Sequence, residues 1–440
     1  MRSQQLLTRR ELLRKGATAA AGAIAAPLVL SSGILARGAE PGPNDRIGVG
    51  YIGCGRRSAN LQGRGLPPDG KTVAAADCYL PRAEAVVKAH GGKAYKDYRA
   101  LLDSKEVEAV IIASPDHWHA LHTIHACQAG KHVYVEKPIS LTILEGRRMV
   151  QAARKHGSIV QCGSQQRSMA ANRRGCEIVR SGLLGKVHTV ISFNYPSPWE
   201  VKFPGQPVPQ GLDWDMWCGP TEPVPFHEEI FKPRSNPGWI SFRPWSGGEM
   251  TGWGAHGLDQ VQWALGADEG GPVEVWVEGP KFEAPTYTKP ESRERGEAIC
   301  SKPKVLYRYA DGTVLKLENG PHGGAVFVGD RGSLSIDRGV YRSTPESLAK
   351  DAPAELPVRL YRSDDHMRNW FECMRSKKLP AADIEIAHRS TTVCHLGNIA
   401  RWVGRKLAWD PVKETFPGDA EACRYIDRPR RKPWELPEIS

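Results

Sequence analysis

Ile47-Gly48-Val49-Gly50-Tyr51-Ile52-Gly53-Cys54-Gly55-Arg56-Arg57-Ser58 decides how the front of this chain folds. Ile47 to Ile52 is a short apolar run of the kind that forms a buried strand. Gly53 and Gly55 then allow a tight turn and a close approach of the backbone to a pyrophosphate. Arg56, Arg57 and Ser58 follow, at the start of a helix whose first amides attract that anion. A second apolar run ends at Asp77, where a carboxylate can accept hydrogen bonds from the adenosine ribose hydroxyls and repel a 2′-phosphate. The pattern predicts a dinucleotide site with NAD favoured over NADP. Ser58 stands where the fingerprint has its third glycine, and is small enough for close helix-to-strand packing.

Outward from this turn, short apolar runs recur at Val73 to Asp77, Val107 to Ala113, Val133 to Val135 and Ile159 to Gln161. Helical patterns such as Arg82 to Ala89 and Ala120 to Ala129 separate them. Strands alternating with helices predict an α/β fold with a parallel, doubly wound sheet, a Rossmann dinucleotide-binding domain over residues 40–165. The texture then changes, and residues 166–440 are read as a second, C-terminal α/β domain for substrate binding and self-association. Val187 to Tyr195, Val273 to Glu278, Lys304 to Tyr309, Thr313 to Glu318 and Ala325 to Gly329 read as strands of a mostly antiparallel sheet. A long helix is expected from Glu385 to Lys406. Between these lies a Pro/Trp-rich stretch, Pro196 to Pro244, with little regular pattern; a loop of that length is expected to cover a site.

Residues 1–39 have another character. Thr8-Arg9-Arg10-Glu11-Leu12-Leu13 precedes an uncharged Ala/Gly-rich stretch from Gly16 to Leu35, the layout of a twin-arginine export signal. The competing reading is a membrane anchor of similar length, but the segment's many small residues make it only weakly apolar beside a spanning helix. The expectation is a periplasmic protein, not membrane-inserted after cleavage, folded before export. Residues 1–39 hold six basic residues and one acidic one, so removing them lowers the formal net charge from +11 to +6. That balance does not call for nucleic acid, and the basic run Arg428 to Lys432 reads as a solvated tail. Ten cysteines occur as singles without a C-x-x-C pair, so spacing indicates neither a zinc site nor a disulfide framework.

Two motifs at strand ends carry candidate chemistry. Ala113-Ser114-Pro115-Asp116-His117-Trp118-His119 follows a buried strand, at the sheet edge where ligands bind in such folds. Ser114, Pro115, His117 and His119 are therefore cofactor-lining candidates; two histidines without a third ligand do not make a metal site. Tyr134-Val135-Glu136-Lys137-Pro138 ends the next strand. Proline restricts the residue before it to extended backbone, which would fix the direction of Lys137, a candidate proton-handling group next to Glu136. From this segment alone, a surface lysine at a turn remains open.

Gly247-Gly248-Glu249-Met250-Thr251-Gly252-Trp253-Gly254-Ala255-His256-Gly257-Leu258-Asp259 shifts that balance. With the glycine turn, Glu136-Lys137-Pro138 and Asp365-His366, it makes the chain resemble the glucose-fructose oxidoreductase and inositol dehydrogenase family. The resemblance implies a nucleotide-binding domain joined to an α/β domain whose open sheet faces the nicotinamide and makes a dimer or tetramer interface. It implies that Lys137 contacts nicotinamide and a substrate hydroxyl, and that His256 exchanges the hydroxyl proton. Chemically, an ammonium stabilises a developing alkoxide while a neutral imidazole accepts its proton. Many members carry an aspartate four residues before the histidine, where this chain has Gly252. Asp259, three residues after His256, is either a second catalytic group or a helix-stabilising aspartate.

Trp199, Trp214, Trp217, Trp239, Trp245 and Trp253 crowd the approach to His256. They suggest a carbohydrate pocket, since indole faces stack on sugar C–H faces, although core packing uses tryptophan too. Arg167, Tyr195 and His322 are weaker pocket candidates. The expected activity is oxidation of a sugar hydroxyl by tightly bound, recycled NAD. A redox-neutral glycoside hydrolase and a non-catalytic carbohydrate-binding protein remain alternatives.

Overall fold

The computed structural model describes residues 45–232, 238–289 and 293–439; the proposed export segment, residues 1–39, lies outside them. From Ile47 onward the chain forms one compact unit. It begins with β1 (Ile47–Ile52), β2 (Gly70–Ala76), β3 (Lys93–Tyr95), β4 (Ala109–Ile112), β5 (His132–Val135) and β6 (Val160–Cys162). These pair in the order β3-β2-β1-β4-β5-β6, all parallel. Every residue of β1 and β4 is buried, because helices cover both faces of the sheet, and such strands read as unbroken apolar runs. α1 (Arg56–Gln62) and α2 (Leu80–His90) pack on one face. α3 (Tyr98–Leu102), α4 (Asp116–Gln128) and α5 (Ile143–Lys155) pack on the other. The strand order reverses between β1 and β4, so a crevice opens beyond their carboxyl ends.

The C-terminal part comprises α6 (Ala170–Arg180), β7 (Val187–Phe193), α7 (Gly254–Leu265), β8 (Glu274–Glu278), β9 (Lys304–Arg308) and β10 (Val314–Glu318). Then follow β11 (Ala325–Gly329), β12 (Gly332–Asp337), β13 (Val340–Thr344), α8 (His366–Ser376), α9 (Ile384–Val403) and β14 (Leu407–Ala408). Besides a two-stranded parallel pair, Glu200–Val201 with Thr286–Tyr287, the C-terminal part holds one eight-stranded sheet in the order β13-β12-β11-β7-β10-β9-β8-β14. Within that sheet the pairing is mixed. Only β7 and β10 are parallel neighbours; the other pairs are antiparallel. Burial alternates along β10 and β11, the period-two pattern of a sheet covered on one face. α6, α7 and α9 supply that cover through Ile178, Leu258, Val261, Leu396 and Ile399.

Three features depart from the sequence expectations. First, the C-terminal part returns to the nucleotide domain. Trp370, Phe371 and Met374 of α8 pack with Val49, Tyr51 and Ile111, and Arg368 holds Asp69 through two bonds of 2.6 and 2.8 Å. Trp434 packs on the opposite sheet face, its ring 4.9 Å from that of Trp118. Second, the basic run at 428–432 is no solvated tail. Arg428 and Arg430 both pair with the buried carboxylate of Glu145 (2.9 and 3.0 Å), and Arg431 donates to the carbonyl of Gly219 (2.7 Å). Burial raises the Glu145 pKa, but the two guanidiniums outweigh it and hold the group at about 2. Third, the Pro196 to Pro244 stretch contributes most of a separate small core, in which Trp199, Trp217 and Phe242 are buried with Trp245, Tyr287 and Cys300.

Candidate active site

The glycine turn forms the floor of the crevice. Gly53 has φ +80°, and a Cβ there would lie 2.5 Å from the Ser114 amide nitrogen and 2.6 Å from its Cα. The absent side chain is therefore what lets the β1 turn pass beneath the loop after β4. Gly55 faces open space, and α1 begins without a side-chain cap, so its first amides stay available to an anion. Gly53→Ala is expected to cost roughly 1–3 kcal/mol of stability, from backbone strain at this φ, and to empty the site of dinucleotide. Cofactor content after purification measures the second effect.

The walls come from both halves of the chain. A cleft with an empty volume of about 1250 Å³, open to solvent, is lined by Gly53, Gly55, Arg56 and Arg57, and by Asp77 at the end of β2. Ser114, Pro115, His119, Glu136 and Lys137 line it from the next two strand ends. Asp77 accepts the Cys54 amide (2.7 Å) and the Tyr79 amide (2.8 Å); burial raises its pKa and those bonds oppose the shift. Glu136 is buried and pairs with Arg57 at 2.7 Å.

Two candidates face elsewhere. Ser58 is buried and accepts a bond from Gln62 (2.9 Å), a packing role suited to a small residue. His117 meets the Trp217 carbonyl at 2.8 Å, and burial pushes its pKa down to about 3. His119 instead bridges the two strand-end loops, with Nε2 2.8 Å from the Ser114 carbonyl and Nδ1 2.7 Å from that of Pro138.

Sequence reasoning missed several cleft residues. Arg82, Tyr98 and His122 come from helices, while Phe231 and Ile240 come from the Pro/Trp-rich segment. The only available signal was the length of that segment, because nothing local marks which of its residues turn inward. The tryptophans divide. Trp217 and Trp239 line the cleft, Trp199 and Trp245 are fully buried, and Trp214 stacks on Trp217 at 4.5 Å. Trp253 is half-buried, its ring centroid 5.6 Å from His256 and 4.6 Å from His322.

Lys137 spans the two halves. Its Nζ donates to the Gly252 carbonyl at 3.0 Å, one helical turn before the buried His256. The missing side chain at 252 leaves space that a neighbour fills: a Cβ on Gly252 would lie 2.8 Å from Oε2 of Glu249. Glu249, also buried, thus brings a carboxylate to the place that Gly252 vacates.

Asp259 occupies a different setting. It accepts Arg167 Nε at 3.0 and 2.9 Å and Nη2 at 2.8 Å, and Ser390 Oγ at 2.7 Å. Both members of the Arg167 pair are almost wholly buried. A carboxylate so fully engaged anchors α7 to the segment after β6 and has no free position for a reacting proton, so the geometry favours the helix-stabilising alternative. Arg167 is likewise an anchor. Tyr195 is fully buried and its hydroxyl holds the His322 carbonyl at 2.8 Å.

With this geometry established, likeness to known proteins can be assigned to its parts. The NAD-binding Rossmann domain of an oxidoreductase family, GFO_IDH_MocA, matches residues 47–164, and the C-terminal α/β domain of that family matches residues 172–436. The chain belongs to the GFO/IDH/MocA oxidoreductase family. Among curated GFO/IDH/MocA relatives, inositol 2-dehydrogenase of Salmonella typhimurium is 33% identical over 154 residues, 34% of this chain and 44% of that protein. An uncharacterized oxidoreductase of Bacillus subtilis, YrbE, is 30% identical over 36% of this chain and 47% of its own length. The chain thus spans less than half the length of these relatives. Two solved structures share the fold. Aldose-aldose oxidoreductase from Caulobacter crescentus has TM-score 0.55 at 17% identity, covering 82% of this chain and 99% of that one. The WlbA dehydrogenase of Bordetella pertussis, solved with NADH and UDP-GlcNAcA, has TM-score 0.57 at 17% identity, covering 83% and 99%.

Proposed function

We propose that the protein oxidises a hydroxyl of a sugar or sugar derivative with NAD that it holds tightly and recycles. The observation that carries this reading is Lys137, which rises from the rim of the nucleotide cleft to the backbone just ahead of His256. The turn suits a pyrophosphate, because Gly53 packs without a Cβ against the Ser114 backbone and Gly55 leaves open space beside the backbone. Gly53, Gly55 and the first amides of α1 would hold the pyrophosphate, and Asp77 the ribose. When bound, NAD supplies the hydride acceptor and donor.

Preference for NAD over NADP is supported by Asp77 and by the engagement of two nearby cations. Lys96 pairs with Asp213 at 3.4 Å, and the Arg82 guanidinium lies over Phe231 at 4.5 Å.

The side chains divide the proton work. Lys137 Nζ offers a positive charge to the oxygen that loses its proton. His256 takes that proton and returns it in the reverse direction. Glu249 brings a carboxylate to the turn at Gly252, which supports turnover over binding alone. Trp253 presents a partly open indole on which a sugar ring can lie.

Export through the twin-arginine route belongs to the same proposal. A periplasmic enzyme has no free NAD pool, so the cofactor must be retained and regenerated in place. Among the described residues no helix is long and apolar enough to cross a membrane. A homodimer or homotetramer on the open sheet face is also proposed.

The test is the absorbance and mass of the protein as purified, followed by a panel of sugars and aryl glycosides. Bound nicotinamide that one sugar reduces and another reoxidises is the expected result. His256→Asn should lower kcat/KM by about 10²–10⁴-fold, the usual scale for a lost general base, and should change the pH profile. Aryl release without net cofactor change would move the assignment to a redox-neutral glycosidase. An unaltered pH profile in His256→Asn would remove that residue from the chemistry.

A further inference from the structure

Arg338 stands at the turn between β12 and β13, exposed to solvent. An arginine on a hairpin tip is ordinarily mobile, but here the backbone on both sides is clamped. Asp337 Oδ1 accepts the amides of Arg338 (2.7 Å) and Gly323 (3.0 Å). Buried Asn172 accepts the Gly339 amide at 2.8 Å and donates to the Asp337 carbonyl at 3.1 Å. Gln166 fixes the facing loop through the Gly323 carbonyl at 2.7 Å.

From this fixed backbone the Arg338 guanidinium reaches to 6.0 Å from the Trp253 ring centroid, and Trp253 is the indole that neighbours His256. Desolvation lowers the Arg338 pKa most, the like charges of Arg57 and Arg64 lower it further, and the carboxylates of Glu136 and Asp337 oppose the shift. Arg57 is paired with Glu136. Among the described residues, no carboxylate lies within ion-pair distance of Arg338 or Arg64, and Asp337 is engaged with amides. Like charges gathered beside Arg57, a cleft-lining residue, raise the local concentration of anions.

We propose that Arg338, backed by Arg64, binds an anionic substituent, a carboxylate or a phosphate ester, on the sugar whose ring lies against Trp253. This rests on the oxidoreductase reading and narrows its substrate class. The dinucleotide's own pyrophosphate is the competing anion, because Arg57 of the Gly53–Ser58 turn lies near Arg338; the cofactor content of Arg338→Gln tells the two apart.

The experiment compares D-glucuronate, D-glucose 6-phosphate and D-glucose in NAD-loaded protein. Turnover is followed by nicotinamide absorbance and binding by calorimetry, for the natural protein, Arg338→Gln and Arg338→Lys. At least one anion should exceed glucose by about tenfold in affinity or kcat/KM, equivalent to about 1.4 kcal/mol. That ratio should collapse in Arg338→Gln, survive in large part in Arg338→Lys, and shrink with added salt. Preference for glucuronate assigns a carboxylate, and preference for the phosphate ester assigns that group. Arg338-dependent anion binding with no turnover of any sugar keeps the anion site and refutes the oxidoreductase reading. Glucose handled as well as both anions, no binding of either anion, or an Arg338→Gln variant that loses NAD while keeping its anion preference, overturns the proposal.

Discussion

Lys137→Ala is expected to retain NAD and to lose turnover by about 10²–10⁴-fold, the range over which a positioned charge or proton-transfer group acts. The two effects separate because the residue sits at the rim of the cofactor cleft. Its backbone follows β5, while the glycine turn and Asp77 that would hold the dinucleotide belong to β1 and β2. Removing the ammonium also deletes the 3.0 Å bond to the Gly252 carbonyl, so a shift of the 249–252 turn is a competing cause of lost activity. Lys137→Gln controls for this by keeping a neutral N–H donor for that carbonyl. If both variants carry normal dinucleotide and both lose kcat, the charge is responsible. Lys137→Arg should recover little, because a planar fork does not place its charge where a compact ammonium does. Undiminished kcat/KM in Lys137→Ala would remove the residue from the mechanism.

The second large effect is on stability. Asp259→Ala is expected to cost about 3–5 kcal/mol, the usual penalty for removing one partner of a buried ion pair. Arg167 would keep only Asp268, at 2.7 Å and partly exposed, with its ring neighbour Trp263 at 5.2 Å. Urea unfolding measures the loss. Replacing both partners, Arg167→Met with Asp259→Leu, should recover much of it, since no charge is then stranded. A catalytic role predicts the opposite split, with Asp259→Asn folding normally and kcat falling by orders of magnitude. That result would return Asp259 to the mechanism.

Sequence made the nucleotide half legible because its signals are local. Gly53 must be a glycine for steric reasons that a single turn reveals, and strands covered on both faces produce apolar runs. β3 was not legible, being three residues long and partly exposed, and β13 alternates between exposed and half-exposed positions, leaving no apolar pattern. The site was legible only where a motif sits at a strand end, as with Lys137. Glu249 escaped notice because its relation to Gly252 depends on how one short turn closes. His117 shows a similar dependence on distant chain. Its strand-end position is that of a lining residue, but the carbonyl of Trp217, a hundred positions later, draws the ring away from the cleft. Arg428 and Arg430 read as solvent-facing because their counter-ion, Glu145, lies more than 280 residues upstream.

The covering of the first sheet by α8 and Trp434 bears on how this protein could be recombined. A chimera that exchanged only residues 47–165 with a relative would import a sheet whose two faces were shaped for another protein's distant segments. Trp370, Phe371 and Trp434 would then meet foreign surfaces. A transplant of cofactor preference therefore has to carry 366–376 and the stretch around 434 along with the glycine turn.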